Sequence, residues 1–332
     1  MRAFDINYYI VDFRKQEQYE WMNAISADSL RAVGKTVVDA YNRFFNKIGG
    51  HPRFKSKKKA KTSYPLGYNN IRFDGTYVRI PKIGLIKYKT DFDVPIGTGH
   101  KFTSAHISQI NDKWYVSYNM QYESQVVQLT TTSMGIDLGI KELAVVSFGD
   151  QDLYFHNINK SEKMKRLIKR HKSIQKQISR KYAAAKKKYG TYVKSNNIRK
   201  LEAKAKKLMY HMTGIRNNYI HHITHALINL KPNRVVMEDL DVLSMMKNRH
   251  MSKYAQYLCL YEIYRQMEYK CERNGIEFIV ANRYFPSSKT CSCCGNIKRN
   301  LKLSDRIYTC EKCGMTLDRD LNAAMNLAKY TA

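Results

Sequence analysis

The sequence predicts an α/β protein in which a small β structure carrying one helix precedes a larger mixed domain. Three observations predict this class. Apolar side chains alternate with period two around residue 116, short apolar runs bounded by turns recur from residue 134, and apolar stripes at helical spacing run between residues 160 and 215. The hydrophobic fraction is 43%, which is enough for packed cores and excludes a disordered chain.

The N-terminal part begins with an amphipathic helix. Ser26 is its predicted N-cap, and we assign its apolar stripe to the core: Leu30, Val33, Val37, Tyr41, Phe44 and Ile48. A very basic loop over 53–61 follows, and strands over 71–73 and 77–80 flank an Asp74-Gly75 turn. We therefore expect residues 1–133 to form a small β-barrel-like domain with a helical segment.

The second part alternates strands and helices. Short strands are predicted over 134–137, 143–146, 152–155, 234–238 and 277–281, and helices over 255–274 and 320–328. A helical hairpin over about 160–215 turns near Gly190. Three strands, helix, strand, helix, strand, helix is the order of an RNase H-like domain, in which insertions fall in the connections. We expect this domain over 134–290, a metal ribbon over 291–316 and the last domain segment over 317–332.

The charge of the chain indicates a polyanionic partner. The formal net charge is +30, from 58 Lys and Arg against 28 Asp and Glu, and nucleic acid is the usual partner of such a surface. Residues 160–207 hold 19 Lys and Arg against two Glu. A merely solvated helix face usually mixes both signs, so this single-sign run favours phosphate contact.

A membrane surface is the rival partner for a basic chain. The basic helices lack bulky aromatic insertion faces, and the sequence has neither an apolar run of about 18 residues nor a signal-peptide core near its N-terminus. We therefore expect a soluble, cytoplasmic protein without a membrane partner.

Three acidic residues occupy unusual positions. Asp137 interrupts an apolar strand, Glu238 ends another, and Asp320 opens the last helix. A carboxylate on a buried strand costs several kcal/mol unless it is paired or binds a metal ion. One such residue is more often a capping or salt-bridged acid. Three of them, on the elements that an RNase H-like sheet brings together, favour a catalytic metal site.

The chemistry of such a site is that of magnesium. Three converging carboxylates can hold two Mg²⁺ ions about 4 Å apart, one to orient the attacking hydroxide and one to stabilise the leaving 3′ oxygen. Asp239 and Asp318 are neighbouring alternatives that we assign to supporting or capping roles. Asp320 is preferred to Asp318 because it directly precedes the packing segment of the last helix.

Four of the seven cysteines have the spacing of a structural zinc site. Two C-x-x-C-Gly knuckles are separated by fifteen residues, and their thiolates would complete a tetrahedral Zn²⁺: Cys291, Cys294, Cys310 and Cys313. A redox dithiol is the alternative, which a matched pair of knuckles disfavours. Cys293 lies within the first knuckle at a poorer spacing.

The remaining metal-binding residue types receive no functional role. Cys259 and Cys271 are predicted packing residues. His221 and His225 lie four apart on a predicted helix, but no Glu follows the first His as in a zinc protease, and a polar helix face explains them.

These residues together resemble the TnpB family of transposon-encoded proteins, relatives of the type V CRISPR effectors. The matching stretches are Gly135-Ile-Asp-Leu-Gly-Ile-Lys-Glu-Leu-Ala144, Val236-Met-Glu-Asp-Leu240, Ser287-Ser-Lys-Thr-Cys-Ser-Cys-Cys-Gly295 and Leu317-Asp-Arg-Asp-Leu-Asn-Ala-Ala324. A looser similarity extends back through 52–55, so the resemblance covers most of the chain.

The resemblance implies an RNA-guided DNA endonuclease with a RuvC-type site that cuts both DNA strands. A guide RNA from the transposon end would pair with a double-stranded DNA target. The protein would contact a short adjacent motif, with residues 1–133 as its nucleic-acid-recognition domain. Asp137, Glu238 and Asp320 match the catalytic positions of the family. The four knuckle cysteines named above match its zinc ligands.

Family members usually carry a further N-terminal segment before the stretch that corresponds to Trp21, and we expect this chain to be shortened there. The leading hypothesis is an RNA-guided nuclease. The alternatives are an unguided, structure-selective nuclease of the resolvase kind and a nuclease-inactive nucleic-acid-binding repressor or accessory protein. The second alternative predicts loss of at least one carboxylate, whereas all three are present.

Overall fold

The computed structural model describes residues 3–56, 62–67, 71–90, 101–121, 127–249, 251–302 and 304–331. It contains two compact units, Met1–Glu123 and Ser124–Ala332. Residues 57–61 of the predicted basic loop lie outside the described residues. Within the described ranges, no helix combines the length and the apolar character needed to cross a membrane.

The first unit has two short sheets. Strand order is β1-β5-β6 in one sheet and β2-β3-β4 in the other. Both sheets contribute to one core of Leu66, Val78, Ile80, Ala105 and Ile107. The elements are α1 (Ala3–Phe13), a 3-10 helix (Glu17–Ala24), α2 (Ala27–Phe45), β1 (Ser63–Leu66), β2 (Arg72–Asp74), β3 (Tyr77–Ile80), β4 (Gly84–Lys87), β5 (Lys101–Ile110) and β6 (Lys113–Gln121). The prediction of strands around the Asp74-Gly75 turn is confirmed.

The assignment of the α2 stripe to the core is wrong. Leu30 is buried, but Val33, Val37, Tyr41, Phe44 and Ile48 are each at least 36% exposed. Helix α1 instead packs on another face of α2, where a Cβ on Gly34 would lie 2.7 Å from the Asn7 side chain. Ser29 also attaches α2 to β1 through a hydrogen bond to the Pro65 carbonyl.

The second unit is built on a five-stranded sheet of order β11-β10-β7-β8-β9. Strands β7, β8 and β9 run antiparallel in sequence, whereas β10 is parallel to both β7 and β11. The strands are β7 (Ser133–Leu138), β8 (Glu142–Phe148), β9 (Gln151–His156), β10 (Arg234–Glu238) and β11 (Glu277–Ala281). All five predicted strands are therefore confirmed, and β10 and β11 have the predicted bounds.

The helices of this unit cover the sheet and extend beyond it. They are α3 (Glu162–Tyr189), α4 (Asn196–Asn229), α5 (Val242–Lys247), α6 (Ser252–Leu258), α7 (Leu260–Arg273) and α8 (Arg319–Ala328), with a 3-10 turn over Ile158–Lys160. Residues of the sheet, α4 and α7 form the main core. The α3–α4 hairpin is confirmed, since α3 ends at Gly190, whose φ of 70° is the left-handed conformation that glycine adopts easily.

One predicted helix is two helices. The helical pattern over 255–274 breaks at Cys259, which has a φ of 53° and separates α6 from α7. A left-handed residue cannot continue a right-handed helix, so the chain changes direction there. Between β11 and α8 a short antiparallel hairpin pairs β12 (Ile307–Thr309) with β13 (Thr316–Asp318).

Candidate functional site

The sheet places two of the predicted carboxylates on neighbouring strands. Strands β7 and β10 are parallel, and Ile136 lies opposite Met237. The next residue on each strand is Asp137 and Glu238. Because parallel strands end at the same edge of a sheet, both carboxylates lie at the carboxyl edge. This is the edge at which α/β sheets commonly place their functional groups.

Helix α8 brings the third carboxylate to the same place. Gly135 has no side chain, and a Cβ there would lie 2.0 Å from the Ala324 carbonyl oxygen and 2.3 Å from the Ala328 amide nitrogen. Such a close approach of helix and strand backbones requires glycine. Gly135 and Asp137 lie on the same face of β7 because side chains alternate along a strand. Asp320, in the first turn of α8, therefore lies near Asp137.

The three carboxylates interact electrostatically. The Asp137 side chain as a whole keeps some solvent exposure, but its carboxyl group is surrounded by protein. Burial raises the pKa of Asp137 well above its usual range, and the charges of Glu238 and Asp320 raise it further. Burial and the charge of Asp318 raise the pKa of Asp320, against the opposing effect of Arg306. A cation would relieve this accumulation of negative charge.

The donor set fits a hard divalent cation. Carboxylate oxygens are the ligands that Mg²⁺ prefers. Among the described residues, the group of metal-binding side chains whose ligand atoms gather tightly around one point is the four knuckle cysteines. The three carboxylates are less tightly gathered than these thiols. Strand register, helix packing and electrostatic interaction place them at the same edge of the sheet.

The two neighbouring acids have local partners of their own. Asp239 forms an ion pair with Arg283, with 3.0 Å between Oδ2 and Nη2. Asp318 is the N-cap of α8 and accepts hydrogen bonds from the Asp320 amide at 2.9 Å and the Leu321 amide at 3.2 Å. The prediction of a capping role for Asp318 is confirmed, whereas a supporting role of Asp239 at the carboxylate site stays a prediction.

Sequence reasoning missed one contact to the candidate site. The Ser287 hydroxyl donates a hydrogen bond to Oε1 of Glu238. Ser287 is 3% exposed and lies between β11 and the first knuckle. Its position in the stretch that opens the knuckle was visible in the sequence, but nothing in the residue pattern connected it with a glutamate 49 residues earlier.

The four knuckle thiols converge as predicted. The Sγ atoms of Cys291, Cys294, Cys310 and Cys313 all lie within 4.8 Å of one another. Amides of Cys313 and Lys312 donate to the Cys310 sulfur and lower the pKa of that thiol to about 6, whereas burial and hydrogen bonds with the other thiols raise the pKa of Cys313 to about 12. A lowered pKa favours the thiolate form that binds a metal ion. The donor set therefore fits a closed, tetrahedral zinc site.

The other cysteines and the paired histidines stay outside this cluster. Cys293 is exposed, while Cys271 is buried in the main core, where burial raises the pKa of its thiol to about 12. Cys259 packs against the same core. The packing roles of Cys259 and Cys271 are confirmed. His221 and His225 are exposed and belong to no metal-type group among the described residues.

Two asparagines on α8 attach the first knuckle to the helix. The Asn326 side-chain amide donates to the carbonyl oxygens of Ser287 at 2.7 Å and Thr290 at 2.6 Å. One turn earlier, Asn322 donates to the Thr290 carbonyl at 2.7 Å and accepts from the Ser292 amide at 2.9 Å. Both asparagines are at most 6% exposed. The knuckle and the helix that carries Asp320 are therefore joined by buried hydrogen bonds.

The basic hairpin presents shallow, cation-lined clefts along α3. One cleft of about 400 Å³ is lined by Arg166, Lys169, Arg170 and, from α4, Lys204. Near the turn, the Lys186 ammonium lies 5.3 Å from the centre of the Tyr192 ring. These clefts offer many cations and few enclosing walls, which suits a phosphate backbone better than a small molecule.

Comparison with known proteins identifies two family segments. Residues 115–249 match a family model described as a probable transposase, and residues 261–327 match the model of the TNB domain of Cas12f1-like proteins. The first segment contains Asp137, Glu238 and the basic hairpin. The second contains both knuckles and Asp320.

Two curated relatives span nearly the whole chain. A Streptomyces pristinaespiralis protein named "Putative RNA-guided DNA endonuclease" is 28% identical over 323 residues, covering 96% of this chain and 75% of the relative. InsQ of Escherichia coli, which has the same descriptive name, is 28% identical over 339 residues. That alignment covers 96% of this chain and 78% of the relative.

A solved structure has a similar fold. The chain aligns with a chain of a Cas12f1–sgRNA–target DNA complex with a TM-score of 0.56. The alignment covers 91% of this chain and 70% of the other at 17% identity. This likeness establishes a shared mixed α/β architecture.

Proposed function

Because this chain belongs to the TnpB family, we propose that it is an RNA-guided DNA endonuclease of transposon origin. It would cut double-stranded DNA beside a short adjacent motif, through a Mg²⁺-dependent RuvC-type site. The names of the relatives that match over 96% of this chain support a nuclease. A cytoplasmic location is part of the same prediction.

The juxtaposition of Asp137, Glu238 and Asp320 carries the proposal. The strand order β11-β10-β7-β8-β9, with β7 antiparallel to β8 and parallel to β10, supports an RNase H-like sheet. In that arrangement the two central strands and the last helix supply the carboxylates. The coupling of Asp137 with both other acids supports this assignment of catalytic residues.

Asp137, Glu238 and Asp320 would hold two Mg²⁺ ions. When bound, the ions would supply a hydroxide nucleophile and stabilise the leaving 3′ oxygen. The protein itself adds nearby positive charge: Lys141, Arg306 and Arg319 are close enough to oppose the rise in the pKa of Asp320. These cations favour the approach of a phosphodiester to a site that is otherwise anionic.

The basic hairpin would bind the backbones of the guide RNA and its DNA partner. Base pairing then reads the sequence, and the protein needs only regularly placed cations. The cation-lined cleft at Arg166, Lys169 and Arg170 supports this role. The four-thiol cluster would hold one Zn²⁺ ion with no open position, and its role would be structural.

The experiment that tests this function starts with the RNA that copurifies with the chain when it is expressed with its native flanking DNA. We expect one dominant, structured RNA with a defined 3′ segment that matches the DNA flanking the gene. That complex should cut a DNA duplex complementary to the RNA when Mg²⁺ is added. Random cellular RNA without cleavage would overturn the guided nuclease and favour the nuclease-inactive or unguided nucleic-acid-binding protein.

A further inference from the structure

Glu238 is held by a residue of the knuckle segment. We propose that Ser287 is a positioning residue, whose hydroxyl orients the Glu238 carboxylate for a divalent cation and couples it to the thiol cluster. The proposal rests on the function proposed above, since it concerns the same carboxylate site. Ser287 donates to Oε1 of Glu238, which leaves the other carboxylate oxygen available to a metal ion.

The main chain of Ser287 is fixed at both of its ends. Its carbonyl accepts from Asn326 at 2.7 Å, and its amide donates to the Phe285 carbonyl at 2.9 Å. Asn326 lies on α8, the helix whose first turn carries Asp320. Ser287 thus connects a carboxylate on β10 with the helix that brings a second carboxylate to the site.

The knuckle continues this connection to the thiols. Asn322 and Asn326 both donate to Thr290, the residue directly before Cys291. The Lys329 ammonium donates a hydrogen bond to the Ser292 carbonyl, which adds a third attachment of the knuckle to the end of α8. A folded knuckle therefore places the Ser287 hydroxyl against Glu238.

The physical reason for such a device is the freedom of a glutamate side chain. Glu238 is only partly buried and ends its strand, so neighbouring side chains do not fully determine its rotamer. A fixed hydroxyl donor selects one carboxylate orientation before the cation arrives. Loss of a hydrogen bond of this kind typically lowers metal affinity or activity about 10–100-fold.

The test compares Ser287→Ala with Ser292→Ala in the full chain. Both serines are buried in the same segment, at 3% and 6% exposure, but the Ser292 hydroxyl lies against methionine sulfurs and not against a carboxylate. Binding of Mn²⁺ is followed by electron paramagnetic resonance, with zinc content and melting temperature measured on the same samples. We expect Ser287→Ala to weaken Mn²⁺ binding about 10–100-fold and Ser292→Ala to leave it unchanged.

Ser287→Thr keeps the hydroxyl and should restore most of the Mn²⁺ affinity. Equal Mn²⁺ affinity in Ser287→Ala and Ser292→Ala would overturn the proposal. So would loss of zinc together with a lower melting temperature in Ser287→Ala, since that result assigns Ser287 to the stability of the knuckle.

The readouts also separate this proposal from the proposed function. If the wild-type complex cuts no DNA while Mn²⁺ affinity still depends on Ser287, the nuclease function fails and the positioning role stands. If the wild type cuts DNA and Ser287→Ala matches it in both Mn²⁺ affinity and cleavage rate, only the positioning role fails.

Discussion

Gly135 and Ala324 are in backbone contact: a Cβ on Gly135 would stand 2.0 Å from the Ala324 carbonyl oxygen. The contact joins the strand of Asp137 to the helix of Asp320. A single added methyl group therefore has to separate the two elements that bring these carboxylates together.

Gly135→Ala is expected to lower the free energy of unfolding by about 1–3 kcal/mol or more, because overpacking here meets backbone atoms that cannot rotate away. It should also abolish metal-dependent cleavage. Gly214→Ala is the matched control, since a Cβ added to Gly214 within α4 would meet no neighbouring group of the described residues within 4 Å. That change should stabilise the protein by about 0.5–1 kcal/mol. Urea denaturation measures the free energy of unfolding of both variants. Equal changes in Gly135→Ala and Gly214→Ala would contradict the packing argument.

Asp137→Ala should abolish DNA cleavage and leave nucleic-acid binding nearly unchanged, because it removes a proposed metal ligand and no phosphate-binding cation. Asp152→Ala, an exposed acid on β9 of the same sheet, is the control and should cleave normally. Cleavage and gel-shift assays with one guide and one target check both. Retained cleavage in Asp137→Ala would remove Asp137 from the site.

The pH dependence of stability should report the buried carboxylate. Burial and neighbouring acids raise the pKa of Asp137 in the folded chain above its unfolded value. The folded state then binds more protons than the unfolded state. The contribution of Asp137 to the free energy of unfolding is therefore fully present below its unfolded pKa and is lost as the pH rises through its folded pKa. Without added divalent cations, Asp137→Asn should reduce this loss. Urea denaturation at several pH values measures it, and parallel curves for wild type and Asp137→Asn would contradict the shift.

Cys310→Ser should release the zinc ion and unfold the knuckles locally, because a hydroxyl cannot replace the thiolate in a four-sulfur site. Cys293→Ser is the control, since Cys293 is exposed and lies outside the cluster. Elemental analysis should give one zinc per chain in the control and none in Cys310→Ser. Unchanged zinc content in both would exclude Cys310 as a ligand.

Arg166→Ala combined with Arg170→Ala should weaken binding to an RNA–DNA duplex equally for unrelated sequences. Each lost phosphate contact should also reduce the slope of log affinity against log salt by about one. Fluorescence anisotropy at several salt concentrations measures the slope. A loss of affinity confined to one sequence would indicate base reading and contradict backbone binding.

Elements with strong local signals were predictable from the sequence. Strand β10 has the predicted bounds because a continuous apolar run after Pro232 has few other structures open to it. The hairpin turn at Gly190 and the converging thiols follow from glycine conformation and from cysteine spacing. In each case a few neighbouring residues determine the outcome.

Features that depend on distant partners were not predictable. The α2 stripe has correct helical periodicity, but periodicity cannot tell whether another element covers the stripe, and here Val33 and Ile48 are exposed. The helix break at Cys259, which has a φ of 53°, could not be predicted because no glycine or proline lies beside it in the sequence. The Ser287–Glu238 hydrogen bond depends on a tertiary arrangement that no local pattern encodes.

The packing of α8 against β7 also orders events during synthesis. Asp137 leaves the ribosome long before Asp320, and at about 5–20 residues per second the interval is about 10–40 s. In the later part of that interval, once α3 and α4 have emerged, the nascent chain exposes its basic hairpin while its carboxylate cluster is still incomplete. Only when α8 emerges and reaches Gly135 can the three acids meet. The three-carboxylate site would therefore be completed only at the end of synthesis, after the basic hairpin has formed.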